Sequence, residues 1–319
     1  MRIIFMGTPD FAVAALDALC SSEHEVILAV TQPDRQKGRG RKVIKTPVKE
    51  CAEKRGVPVF QPLKIRDAQA LERIRSLSPD LIVVAAFGQI LPQELLDIPK
   101  YGCINIHASL LPKLRGAAPI QWSVINGDKE SGITLMQMDA GLDTGDILFQ
   151  KKVEITGEET GESLYYKLAG LGGEMIVRCL PDVEAGRLCP VPQNNDESSY
   201  APMLKKEMGE IDWSLPAREI GQRVRGMLPW PGAYTFLNGR VLKIWKARPA
   251  TAEELSLAPK NGQDIPAPGT VLFADKKALY ASTGDGVLAI LELQAEGKKR
   301  METGAFLLGT KVPAGSVLG

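Results

Sequence analysis

The chain has only two histidines, five scattered cysteines and almost no net charge, +1 over its whole length. Each shortage removes a class of function. The cysteines (Cys20, Cys51, Cys103, Cys179, Cys189) are odd in number and form no CxxC pair. No disulfide framework is expected, and a reducing cytoplasm fits best. The acids lack companion histidines at ligand spacing, so no metal is expected. No run of about 18 apolar residues occurs, so no membrane partner is expected. The first βα turn, Gly7-Thr8-Pro9-Asp10, lacks the G-x-G-x-x-G of dinucleotide binders, and Pro9 removes an amide that would hold a phosphate. There is no Walker motif. The near-zero global charge gives no sign of a polyanionic partner, so any such sign has to be local.

What is present is patterned. Length, at 319 residues, suits two domains. Over the first half, short apolar runs alternate with helical stretches. Arg2–Met6, Glu25–Thr31, Leu81–Ala86, Cys103–His107, Thr134–Met138 and Ile147–Val153 read as strands. Phe11–Cys20 reads as a helix. The N-terminal run is too short for a secretory segment and reads as a buried strand. Runs apolar on both faces predict a covered parallel sheet, hence a doubly wound α/β domain. Thr160 is a plausible N-cap, with Leu164, Leu168, Leu171 and Met175 on one helical face. Prolines and the polar stretch Gln193–Ser199 predict a linker over 190–206, after a first domain of 1–189. Beyond it, a short helix (Ala217–Met227) leads into short strands at Tyr234–Leu237, Arg240–Lys246, Thr270–Phe273, Ala278–Ser282 and Gly286–Leu293. Asn238-Gly239 is a two-residue hairpin signal. A small barrel over 207–319 is expected, with 247–268 an exposed loop. Trp213, Trp230 and Trp245 are expected in the core or at a domain seam rather than as base-stacking platforms.

The chemistry concentrates in Cys103-Ile104-Asn105-Ile106-His107-Ala108. Side chains alternate along a strand, so Asn105 and His107 share one face, about 6–7 Å apart. An amide and an imidazole at a strand's carboxyl end suit a carbonyl oxygen and a proton. A bland alternative is a partly buried histidine with a structural partner. Against it, His24 lies in a polar turn, which leaves His107 as the well-placed group that titrates near neutrality. A carboxylate beside it would complete a relay, and Met138–Asp146 offers Asp139, Asp143 and Asp146. The residues alone do not choose among them. Separately, the loop 33–42 packs Arg35, Lys37, Arg39, Arg41 and Lys42 around two glycines and one acid, a pattern that suits phosphate contact. Lys243, Lys246, Arg248, Lys298, Lys299 and Arg300 add cations to the expected barrel.

Taken in order, several segments resemble the methionyl-tRNA formyltransferase family. They are Phe5-Met6-Gly7-Thr8-Pro9-Asp10-Phe11-Ala12, Asn105-Ile106-His107-Ala108-Ser109-Leu110-Leu111-Pro112, Arg115-Gly116-Ala117-Ala118-Pro119-Ile120, Gly141-Leu142-Asp143-Thr144-Gly145-Asp146, Leu228-Pro229-Trp230-Pro231-Gly232-Ala233 and Gly297-Lys298-Lys299-Arg300-Met301. The resemblance implies a Rossmann-type formyltransferase domain followed by a small OB-like β-barrel that binds tRNA. It implies 10-formyltetrahydrofolate as donor and the α-amino group of initiator methionyl-tRNA as acceptor. It places the catalytic set on Asn105, His107 and Asp143. Asn105 and His107 would donate hydrogen bonds to the formyl oxygen, and Asp143 would fix the histidine tautomer. The folate-contacting loop falls on Ser109, Leu110, Leu111 and Pro112, and the basic loop becomes the tRNA-reading insertion. A monomer is expected. Two rivals remain: a formyltransferase acting on a small amine, and a non-catalytic RNA-binding module.

Overall fold

The computed structural model describes residues 1–37, 42–256 and 266–319. The chain divides into two compact units. The first comprises Met1–Pro119, Glu130–Glu154 and Tyr165–Pro202. The second comprises Ile120–Lys129, Ile155–Leu164 and Met203–Gly319.

The first unit is built on seven strands: β1 (Arg2–Gly7), β2 (Glu25–Val30), β3 (Val59–Phe60), β4 (Leu81–Ala85), β5 (Cys103–His107), β6 (Glu130–Gln137) and β7 (Ile147–Glu154). Their order is β7-β6-β5-β4-β1-β2-β3. Strands β1 to β5 run parallel. Ile3, Ile4, Phe5 and Met6 of β1 are fully buried, as strands covered on both faces must be. The last two strands reverse direction: β6 runs antiparallel to β5 and β7 antiparallel to β6. Between β6 and β7 lie only residues 138–146, too few for the crossover that a parallel pair needs.

Helix α1 (Asp10–Cys20) follows β1 and helix α2 (Pro47–Lys54) follows the basic segment. Helix α3 (Gly161–Glu184) starts at the expected cap, where the Ser163 amide donates to Thr160 Oγ1 at 3.0 Å. It carries Pro181 in its last turn and ends beyond the composition change. Gly172 on α3 lets the helix approach β5, since a Cβ there would meet Ile106 Cγ2 at 2.8 Å. Strand alternation therefore sends Ile106 toward α3 and turns Asn105 and His107 away from it.

The connectivity reverses at β1: β2 and β3 lie on one side, β4 and β5 on the other. In open α/β sheets ligands bind outside the carboxyl ends at such a point. Residues through Pro202 belong to the first unit, and Tyr200–Ala201 pairs in parallel with Arg115–Gly116.

The second unit holds helix α4 (Ala217–Gly226) and six strands: β8 (Ala233–Leu237), β9 (Arg240–Pro249), β10 (Val271–Ala274), β11 (Leu279–Ser282), β12 (Val287–Ala295) and β13 (Met301–Glu302). The order is β8-β9-β12-β11-β10, with β13 on β12, and neighbouring strands are antiparallel. Asn238 (φ 52°) and Gly239 (φ 72°) make the hairpin turn that their sequence predicts. Bridges from Leu318 to Leu237 and from Val317 to Thr270 span the two edge strands and bring the sheet toward closure. Its core includes Trp213, Ile220, Val224, Leu242, Leu279, Ile290 and Leu293. The stretch 247–268 is not all loop: β9 runs to Pro249, and Ala252–Ser256 is helical. Trp213 is buried and donates to Thr235, whereas Trp230 is 55% exposed rather than a core residue.

Candidate active site

Strand β5 ends at His107, which is buried at 6% exposure. Both ring nitrogens have protein neighbours. Nε2 lies 3.1 Å from the Leu114 carbonyl. A carbonyl only accepts, so Nε2 carries a hydrogen. Nδ1, the other ring nitrogen, lies 3.7 Å from Asp143 Oδ1. Asp143, 14% exposed, is the loop aspartate that the fold brings to the imidazole. Asp139 instead closes its own turn, accepting from Thr144 Oγ1 at 2.8 Å and the Gly141 amide at 3.0 Å. Asn105, two residues back on the same side of β5, is half-buried. Among the described residues its side-chain amide has no hydrogen-bond partner, so both N–H donors are open. The neighbouring thiol offers no competing chemistry, because burial pushes Cys103 up to about 12.

Residues distant in sequence hold this arrangement. The Gly116 amide donates to Asp143 Oδ2 at 2.8 Å. Gly116 has φ 113°, and a Cβ there would lie 2.8 Å from the Ala201 carbonyl, so the position requires glycine. Leu114 and Asp143, the two residues that flank the imidazole, sit at φ 58° and 53°. Side chains seldom adopt that region, and its cost is met by surrounding contacts. The Leu114 amide donates to Ser199 Oγ and the Arg115 amide to the Ser199 carbonyl. Gln193 bonds both Arg115 and the Asp143 loop. Sequence reasoning missed Leu114, Gly116, Gln193 and Ser199. Two of them lie in the segment read as a linker, and the signal available was the run of hydrogen-bonding residues within it.

Of the expected folate loop, Ser109 and Leu111 are buried, while Leu110 and Pro112 are half-buried. Ser109 Oγ donates to the Lys113 carbonyl at 2.6 Å. Buried Thr134 on β6 donates to the Ser109 carbonyl and accepts from the Leu111 amide. Ser109 and Leu111 thus spend these groups on holding the loop, and the side-chain surface left to a ligand is that of Leu110 and Pro112.

A cleft of about 500 Å³ opens beside the carboxyl ends of β1 and β4, lined by Thr8, Pro9, Gln32, Arg35, Phe87 and Gly88 among others. A larger hollow of about 730 Å³, bordered by Arg75, Asp80, Glu94 and Lys100, lies at the amino end of β4, away from the ligand edge. At the start of α1 the Phe11 amide donates to Tyr165 Oη at 2.6 Å. That hydroxyl, pushed up to about 12 by burial, occupies an amide that a phosphate would use.

Among the basic-loop residues, Arg35 is exposed at the start of a hairpin, Arg35–Lys37 against Lys42–Ile44. The side chains of Lys37 and Lys42, and all of Arg39 and Arg41, lie outside the described residues. On the second unit, Lys243, Lys246, Lys298 and Lys299 are exposed. Arg248 is paired with Glu254 and Arg300 with Glu292. The Arg248 guanidinium, bonded at 2.7 and 2.8 Å, holds Glu254 down to about 2. Among the described residues no group of three or more His, Cys, Asp and Glu side chains is arranged to hold a metal ion.

A half-buried amide, a buried imidazole and a carboxylate thus come together at the carboxyl edge of a doubly wound sheet. The Formyl transferase family model matches residues 1–180, and the Formyl transferase C-terminal domain model matches 203–311. A methionyl-tRNA formyltransferase of Pelotomaculum thermopropionicum is 52% identical over 319 residues, covering 100% of this chain and 99% of that one. The chain belongs to the methionyl-tRNA formyltransferase family. An N-formyltransferase from Helicobacter canadensis, solved in complex with folinic acid and dTDP-3-aminofucose, shares the fold at TM-score 0.64 and 18% identity, covering 92% of this chain and 99% of its own. HypX from Aquifex aeolicus, solved with tetrahydrofolic acid, aligns at TM-score 0.60 and 21% identity over 96% of this chain, which spans 47% of HypX.

Proposed function

We propose that Asn105, His107 and Asp143 carry out the formyl transfer of this family. The enzyme moves the formyl group of 10-formyltetrahydrofolate to the α-amino group of initiator methionyl-tRNA, in support of translation initiation. The observation that carries the residue assignment is the His107–Asp143 pair at 3.7 Å beside an amide with both donors open.

A free α-amino group has a pKa of about 7.7–8.0, and esterification of its carboxyl lowers it, so the attacking nitrogen is neutral without an unusual base. Its lone pair attacks the formyl carbon, and the C=O electron pair moves onto oxygen. Asn105 donates to that oxyanion. His107 takes a different part from the one its sequence suggests, because Leu114 already occupies Nε2. Nδ1 and Asp143 instead take the proton that the ammonium nitrogen loses. They return it to the folate nitrogen as the carbon–nitrogen bond breaks, leaving tetrahydrofolate and the formylated aminoacyl-tRNA. The 3.7 Å gap exceeds a hydrogen bond and tightens in the substrate complex, as catalytic contacts do.

The loop of Ser109, Leu110, Leu111 and Pro112 lines the folate side. Arg35, Lys37, Arg39, Arg41 and Lys42 contact the tRNA. The enzyme acts as a monomer. No described helix is long and apolar enough to cross a membrane. The site of translation initiation places the enzyme in the cytoplasm.

The test is formylation of charged initiator tRNA by His107→Ala and Asp143→Asn. Turnover is expected to fall by about 10²–10⁴-fold with tRNA affinity unchanged. Near-normal turnover of either variant would sink the assignment.

A further inference from the structure

We propose that Gln193 is a positioning residue that holds Asp143 Oδ1 in front of His107. The inference rests on the reading that this pair moves the proton in formyl transfer.

A glutamine amide offers two acceptor sites and two donors. Gln193 uses all four. Its Oε1 accepts from Arg115 Nε at 3.1 Å and Nη2 at 2.7 Å. Its Nε2 donates to the Asp143 carbonyl at 2.9 Å and to the Gly145 carbonyl at 2.7 Å. These partners lie 48 to 78 residues from it along the chain. Arg115 is also held from another side, donating to Asn195 Oδ1 at 2.9 Å.

The consequence falls on one atom. Asp143 sits at φ 53°, where a side chain stays only if neighbours hold it. Its carbonyl is pinned by Gln193 and its Oδ2 by the Gly116 amide. Arg115, at the other end of the Gln193 amide, is bonded in sequence to Gly116. The brace therefore ties both grips on Asp143 together. Oδ1 is the oxygen left over, and it is the one that faces Nδ1. Asp139, in the same loop, is engaged instead by Thr144 within its own turn.

Chemistry separates this role from simple packing. Gln193→Glu keeps the length and the contact with Arg115 but sets a carboxylate oxygen against two carbonyls. Gln193→Ala removes both halves of the brace. Both variants are expected to lower kcat by about 10- to 100-fold, the scale of a misplaced catalytic group. The KM for tRNA stays at the parent value, and the pH profile of kcat shifts in both.

The decisive comparison adds Gln193→Ala to Asp143→Asn in single-turnover assays. If Gln193 acts through Asp143, the double variant is no slower than Asp143→Asn alone. Multiplied losses would overturn the inference, as would Gln193 variants with parent kcat and pH profile alongside a crippled Asp143→Asn. Near-normal turnover of Asp143→Asn itself would instead overturn the proton-transfer reading, and this inference with it. Gln193→Glu, close in size, keeps the test sound should the alanine variant fold poorly.

Discussion

Two segments of the first unit differ in how they are held. The Asp143 loop, residues 138–146, is braced by Gly116 and Gln193, far along the chain, and closed within its own turn by Thr144. The basic hairpin, Arg35–Lys37 against Lys42–Ile44, is anchored at its foot. There Lys49 Nζ donates to Asp34 Oδ2 at 2.6 Å and to Gln61 at 2.8 Å, while Gln61 donates to Asp34 Oδ1 at 2.7 Å. The difference follows from the tasks proposed for them. Proton transfer needs atoms placed to within a fraction of an ångström. Phosphate contact draws on charge and counterion release, which tolerate looser placement.

Breaking the braced side has the largest expected effect. Gly116→Ala forces a side chain into φ 113° and against the Ala201 carbonyl. About 1–3 kcal/mol of stability is expected to be lost, and kcat to fall by about 10²-fold as Asp143 Oδ2 loses its donor. Thermal melting and steady-state formylation measure the two. A parent-like kcat would show that the grip on Oδ2 is dispensable.

On the hairpin side the loss is expected in binding rather than in chemistry. Arg41→Ala should raise the KM for tRNA with kcat unchanged, and lower the slope of log affinity against log salt by about 1. Filter binding across a salt series measures it. An unchanged slope would argue against a phosphate contact.

The smallest expected effect is at the hairpin foot. The Lys49 hydrogen bond, with Gln61 behind it, holds the Asp34 carboxyl below the usual carboxylate range. A depressed folded pKa gives stability that is present above the unfolded value and lost as pH falls through the folded one. Lys49→Met should therefore cost about 1 kcal/mol at neutral pH. The gap from the parent should close as pH drops below about 4. Urea melts at pH 7 and pH 3 test it, and a gap that widens in acid would reverse the sign.

Much of the site was legible because its signals are local. Alternation along β5 put Asn105 and His107 on one side, and no partner was needed to see it. The Asn238-Gly239 turn and the Thr160 cap were equally readable from a few adjacent residues. The direction of β6 and β7 was not legible, because an apolar run shows burial but not direction. The contacts made by Gln193 and Ser199 were not legible, because prolines and polar residues look alike in a solvated loop and in a segment that bonds to a distant one.

The sequence by itself determined the strand that carries the amide and imidazole, the hairpin turn and the layered α/β plan followed by a β unit. Family resemblance, not the residues alone, singled out Asp143. Only the tertiary structure decided which carboxylate meets His107, that Leu114 takes its Nε2, that Gln193 spans Arg115 and the Asp143 loop, and that Ile120–Lys129 and Ile155–Leu164 join the second unit. Periodicity and turn chemistry are set within a few residues. A contact between positions 27 or 50 apart depends on the whole path of the chain between them.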